Sequence, residues 1–102
     1  MDKNTALKEV IKYKDAILKE FSPKKIFLFG SYSNGTQKES SDIDVGILFD
    51  KLEGNYLENI AKLWSIAWQV NLKIEPHLLD TTQDPSGFVQ HIINSGQEVY
   101  SA

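Results

Sequence analysis

The sequence predicts an α/β sandwich in which helices and strands alternate as αβαβαβα around a small sheet. Three observations carry this expectation. Apolar residues recur at helical spacing near the start of the chain and again from Leu57 to Trp68. Short apolar or alternating runs at residues 25–29 and 43–47 have the length and pattern of strands. Helical and strand patterns alternate along the chain, as expected when helices cover a sheet.

The first helix is expected from about residue 5 to 20. Leu7, Val10, Ile11, Ile17, Leu18 and Phe21 form its apolar stripe, with Lys8, Lys12, Asp15 and Lys19 between them as a solvated face. Ser22-Pro23 stops it, because proline donates no hydrogen bond and disfavours helix just before itself. Ile26-Phe27-Leu28-Phe29 then reads as a strand apolar on both faces, hence central or covered by helices. Gly30 permits a tight exit, Ser31 is a good helix N-cap, and a short helix or turn follows through about Gly35. Residues 36–41 are polar and loop-like.

From Asp42 the period becomes two: Ile43, Val45 and Ile47 share one face of a strand, and Asp42, Asp44 and Gly46 the other. A glycine-containing turn spans residues 50–55. Leu57, Ile60, Ala61, Trp64, Ala67 and Trp68 mark a second long helix. Residues 70–79 read as a third strand with Leu72 and Ile74 inward and Lys73, Glu75 and His77 opposite, and Pro76 signals an edge or a strand end. Asp84-Pro85-Ser86 opens a last helix carrying Phe88, Val89, Ile92 and Ile93, which Gly96 closes. Val99-Tyr100 is expected to pack back as a short tail.

Composition narrows the function. At 102 residues, 41% of them apolar and 25% charged, the chain is expected to form one domain, 1–102, with a single core. No apolar run reaches the roughly 18–20 residues of a membrane span, and MDKNTALKEV lacks the apolar segment of a signal peptide. The absence of cysteine rules out disulfides and thiolate metal sites and fits a reducing, cytoplasmic setting. A net charge of −3 argues against an extended surface for duplex nucleic acid.

The chemistry concentrates between Gly30 and Asp44. Two carboxylates two apart on a strand leave the same face, roughly 6.5–7 Å apart at the backbone. They repel one another unless a cation lies between them, and Mg²⁺ suits oxygen ligands shared with phosphates. A neighbouring strand lies about 4.8 Å away, which lets Glu75 supply a third carboxylate. Three carboxylates can hold two metal ions about 3.5–4 Å apart, an arrangement used in phosphoryl chemistry. Gly30-Ser31 adds a glycine turn into a helix start, with backbone N–H groups and a hydroxyl suited to an anion. Gly46 is expected to leave the face beside the aspartates open.

Gly30-Ser31, ten residues, then Asp42-Ile43-Asp44 resembles the signature of the polymerase-beta-type nucleotidyltransferase superfamily. At roughly 5–7% for each fixed residue type, chance gives this spacing in about one chain of this length per thousand. The small size resembles the minimal nucleotidyltransferase (MNT, MntA-like) family, and Ile74-Glu75-Pro76-His77 resembles its third-carboxylate strand. The resemblance covers nearly the whole chain and implies a small mixed sheet. It implies that Gly30 and Ser31 hold the triphosphate of ATP, that Asp42 and Asp44 bind Mg²⁺, and that Glu75 completes the metal site and helps activate an acceptor hydroxyl. The reaction implied is transfer of AMP with release of pyrophosphate. The partner implied is a helical HEPN-type toxin, with this chain as its antitoxin. Many relatives carry a basic residue where this chain has Tyr32; Lys24, Lys25 or Lys38 would have to supply that charge.

Plainer readings stand beside these. A lone Gly-Ser is usually a turn, and a lone Asp-x-Asp is usually solvated surface. A calcium loop fails, because Gly46 sits where an oxygen ligand is needed. Glu75 could be an exposed residue paired with Lys73, and His77 a partly exposed structural histidine. Trp64 and Trp68 are read as core. With no residues left for an acceptor-binding domain, the acceptor surface is expected from a partner or from self-association. The alternative functions are a non-catalytic, steric antitoxin module and nucleotidyl transfer to a small molecule.

Overall fold

The computed structural model describes residues 1–82 and 84–102. Eight elements follow in order: α1 Lys3–Ile17, β1 Lys25–Phe29, α2 Ser31–Asn34, β2 Ile43–Phe49, α3 Tyr56–Val70, β3 Ile74–Asp80, α4 Phe88–Ser95 and β4 Gln97–Ser101. The four strands form one mixed sheet in the order β3-β2-β1-β4. β1 runs antiparallel to both β2 and β4, while β2 and β3 are parallel, joined by the α3 crossover. The expected small mixed sheet is therefore present.

Strand alternation sorts the side chains into two layers. Ile26, Leu28, Ile43, Val45 and Ile47 pack with Ala6, Val10, Tyr13 and Ile17 of α1 and Leu63, Ile66 and Ala67 of α3. On the other face, Phe27, Leu48 and Leu79 pack with Val89 and Ile92 of α4. The buried Tyr13 hydroxyl donates to the Leu63 carbonyl at 2.7 Å, tying α1 to α3 where no water can substitute. Asp2 caps α1 through the Thr5 N–H, and Asn55 caps α3 through the Glu58 N–H. No helix among the described residues is long and apolar enough to cross a membrane.

Several details differ from the sequence reading. α1 ends at Ile17, and residues 18–20 form a turn before Pro23 is reached. The core face of α3 is Leu63, Ile66 and Ala67, which leaves Leu57 71% exposed and Trp68 57% exposed. Trp68 is therefore not core; it lies against Trp64 with ring centroids 5.8 Å apart. Leu72, read as inward, is 79% exposed, because α3 runs on to Val70 and the strand starts only at Ile74. The tail around Val99-Tyr100 is a strand that pairs with β1. β3 is an edge strand, as Pro76 signalled.

Candidate active site

Two strand registers assemble the site. Antiparallel pairing sets Phe29 opposite Asp44, so the chain leaves β1 at Gly30 directly beside that carboxylate. Parallel pairing sets Asp44 beside Glu75 and Gly46 beside His77, so the side chains of Asp44, Glu75 and His77 leave the α4 face of the sheet. α4 covers only part of that face, and the end bearing Asp44, Glu75 and His77 remains partly exposed. One ligand atom from each of these three lies within 4.8 Å of the others. His77 Nε2 is 3.2 Å from Asp44 Oδ1 and 3.8 Å from Glu75 Oε1. Asp42 is exposed, precedes β2, and lies close enough to Glu75 for the two carboxyl groups to hydrogen-bond when one is protonated.

Desolvation and the crowding of like charge both act on Glu75. Its pKa is raised above the usual carboxylate value, first by desolvation and then by the negative charge of Asp44; His77 acts in the opposite sense. Such a cluster is stabilised by a cation: the carboxylates of Asp44 and Glu75 are hard oxygen donors of the kind that suit a divalent ion such as Mg²⁺, with His77 beside them, whereas Asp42 lies outside this group of three. His77 is the site residue whose role the sequence left open. Its ring is held edge-on to Phe29 at 4.9 Å and near Phe88 at 6.3 Å, so its Nε2 is aimed at Asp44 by packing. The strand period had placed His77 on the carboxylate face; its contact with Asp44 depends on the Gly46–His77 register.

Gly30 adopts φ 75° and ψ −149°, a region open essentially to glycine alone. A Cβ there would overlap Asp44 Oδ2 and lie 3.2 Å from its Cγ. Gly30 thus occupies the N-cap position of α2, and Ser31, expected as the cap, is the first helical residue. Ser33 and Asn34 donate their N–H groups to the Gly30 carbonyl, and the amides of Ser31 and Tyr32 open the helix. Tyr32 is fully buried in the α1–α3 core, with its hydroxyl unpaired among the described residues. Tyr32 brings no positive charge to the start of α2.

The substitute cations do not all reach the site. Lys25 starts β1 opposite Leu48, at the other end of the sheet, and bonds Glu98 at 2.6 Å; Lys24 pairs with Asp50. Strand direction, which the sequence pattern left open, removes both, and Lys38 stays exposed in the loop after α2. The alternative Lys73–Glu75 pair is also absent: Lys73 Nζ donates to the Glu39 carbonyl. Gly46 does not open the face. A Cβ there would lie 2.8 Å from Leu79 Cδ1 and 3.6 Å from Ile92, so the glycine lets the α4 layer close on the sheet.

A family model described as polymerase beta, nucleotidyltransferase matches residues 9–102. Protein adenylyltransferase MntA of Shewanella oneidensis is 34% identical over 77 residues, 74% of this chain and 52% of that protein. A candidate protein adenylyltransferase of Methanocaldococcus jannaschii is 47% identical over 51 residues, 49% of each. The chain thus spans about half the length of these curated relatives. A candidate nucleotidyltransferase from Sulfolobus solfataricus superposes with a TM-score of 0.73 at 16% identity, over 97% of this chain and 83% of that one. A chain from the complex of tri-AMPylated Shewanella oneidensis HEPN toxin with MNT antitoxin superposes with a TM-score of 0.59 at 22% identity, over 98% and 73%. At these identities the structural likeness speaks for the fold.

Proposed function

The chain belongs to the polymerase beta nucleotidyltransferase family, and on that footing we propose that it transfers AMP from ATP to a hydroxyl acceptor. The observation that carries the reading is the pair of registers that puts Asp44 beside Glu75 on one side and Gly30 on the other. In it, Asp42, Asp44 and Glu75 would hold Mg²⁺, two ions in all, and Gly30 and Ser31 would receive the triphosphate through backbone N–H groups and the serine hydroxyl. When bound, the metal supplies charge stabilisation to the entering and leaving oxygens. The acceptor oxygen forms a bond to the α-phosphorus, the bond from that phosphorus to the bridging oxygen breaks, and pyrophosphate leaves. The Glu75 carboxylate, set beside Asp44 by the β2–β3 register, takes the hydroxyl proton. His77 orients Asp44.

The acceptor in this reading is a partner protein, a HEPN-type toxin that this chain neutralises in the cytoplasm as its antitoxin. The adenylyltransferase name of the Shewanella relative and the AMPylated HEPN toxin bound to an MNT antitoxin support it. A second reading, a steric antitoxin that does not turn over, draws on Tyr32, a buried residue whose neutral phenol offers the triphosphate no positive charge. Growth rescue by co-expression with the captured partner separates the two. An Asp42→Asn, Asp44→Asn double variant that still binds the partner but no longer rescues growth supports transfer; undiminished rescue overturns it.

A further inference from the structure

A groove of about 560 Å³ runs along the outer edge of β3 and ends at His77, beside the carboxylates. We propose that this groove is the acceptor site and that its occupant is an extended, basic, hydroxyl-bearing segment of the acceptor protein. The inference rests on the adenylyl-transfer reading and gives that site its second substrate.

The backbone at this edge is suited to an extended guest. The Lys73 carbonyl and the Thr81 N–H bond to β2, so the odd-numbered residues of β3 face the sheet and positions 74, 76, 78 and 80 turn their backbone outward. Pro76 has no N–H to offer there. Leu78 and Asp80 can present both a donor and an acceptor to an added strand. Tyr56 and Ile60 wall the groove on the α3 side, and Phe88 on the α4 side.

Charge selects the guest. Asp80 and Asp84 line the groove, and none of the described lining residues is lysine or arginine. Both carboxylates are fixed by hydrogen bonds and not by ion pairs. Asp80 accepts from the Thr82 N–H and hydroxyl, and Asp84 from the Val89 and Gln90 N–H groups. Their negative charge disfavours a triphosphate and favours lysine or arginine. Topology agrees. Gly30-Ser31 flank Asp44 from the β1 side and the groove approaches from the β3 side, so nucleotide and acceptor would meet the carboxylates from opposite directions.

The test uses two fluorescent peptides with a central serine and tyrosine, one flanked by lysines and one by glutamates. Binding to the whole chain is followed by anisotropy at low salt. Asp80→Lys reverses a groove charge, Ser86→Arg fills and charges the groove, and Asp15→Lys makes the same charge change on exposed α1. The lysine peptide is expected to bind wild type more tightly than the glutamate peptide. Asp80→Lys and Ser86→Arg should each weaken it about five- to tenfold, with Asp15→Lys and the affinity for ATP nearly unchanged. Equal weakening by all three variants, no effect of the groove variants, weakened ATP binding in place of peptide binding, or no binding of either peptide would overturn the assignment. Asp44-dependent AMP transfer measured alongside keeps the two readings apart. Transfer with groove-independent peptide binding removes this inference alone, whereas absent transfer removes the function on which it rests.

Discussion

Replacing Gly30 by alanine should disable the site at a distance of one atom from its carboxylate. The backbone at φ 75° and ψ −149° lies in a region that costs a non-glycine residue of order 1–3 kcal/mol. The added Cβ also overlaps Asp44 Oδ2 and crowds Asp44 Cγ at 3.2 Å, so the carboxylate must rotate away. Rotation gives up the 3.2 Å contact with His77 and removes Asp44 from the cluster with Glu75. Gly35→Ala is the matched control. Its φ of 76° and ψ of 16° are left-handed, with nothing within 4 Å of the added Cβ, so it should cost about 1–2 kcal/mol of conformational strain and nothing at the site. Urea unfolding should then place Gly30→Ala below Gly35→Ala. Calorimetric titration with Mg²⁺ and ATP should show at least about a tenfold loss in Gly30→Ala, equivalent to about 1.4 kcal/mol, and wild-type affinity in Gly35→Ala. Two variants equal in stability and in Mg²⁺–ATP affinity would refute the reasoning, because contact with Asp44 is what distinguishes them.

Two buried tyrosines make opposite expectations. Tyr13→Phe removes the bond to the Leu63 carbonyl and should cost about 1–2 kcal/mol, whereas Tyr32→Phe removes a hydroxyl with no partner and should be neutral or stabilising by up to about 1 kcal/mol. Chemical denaturation decides it, and the reverse order would sink the idea. Glu75 makes stability depend on pH in an unusual sense. Its pKa is higher folded than unfolded, so its contribution is fully present below the ordinary carboxylate pKa and is lost as pH rises through the raised value. Across that window metal-free wild type should lose stability relative to Glu75→Gln, and Mg²⁺ should restore it. Parallel pH curves for the two proteins, without metal, would contradict this.

The strand alternation from Asp42 made Asp44 legible because its inward partners are all aliphatic, and Glu75 and His77 followed from the same period. Their coincidence with Asp44 needed the β2–β3 register, which local pattern does not carry. Periodicity alone does not set the phase of α3, because apolar residues lie on two of its stripes; only packing shows that Leu63 and Ile66 face the sheet while Leu57 and Trp68 face solvent. β4 is not legible as a strand because Gln97 to Ser101 has too little aliphatic content to announce one, and its pairing with β1 supplies what its composition lacks. Lys24 and Lys25 looked near Gly30 in sequence, but a five-residue strand separates its ends by about 13 Å. In sequence Gly46 suggests a gap beside the aspartates; it is a point of close packing, visible only once Leu79 and Ile92 are in place.

The most direct test of the site is transfer from α-labelled ATP with Mg²⁺ in extract from the source organism, wild type against Asp44→Asn. If Asp42, Asp44 and Glu75 form an adenylyl-transfer centre, label appears on a protein acceptor with wild type and is absent with the variant. Equal labelling by both proteins, or none by a folded wild type that binds ATP with Mg²⁺, would contradict it.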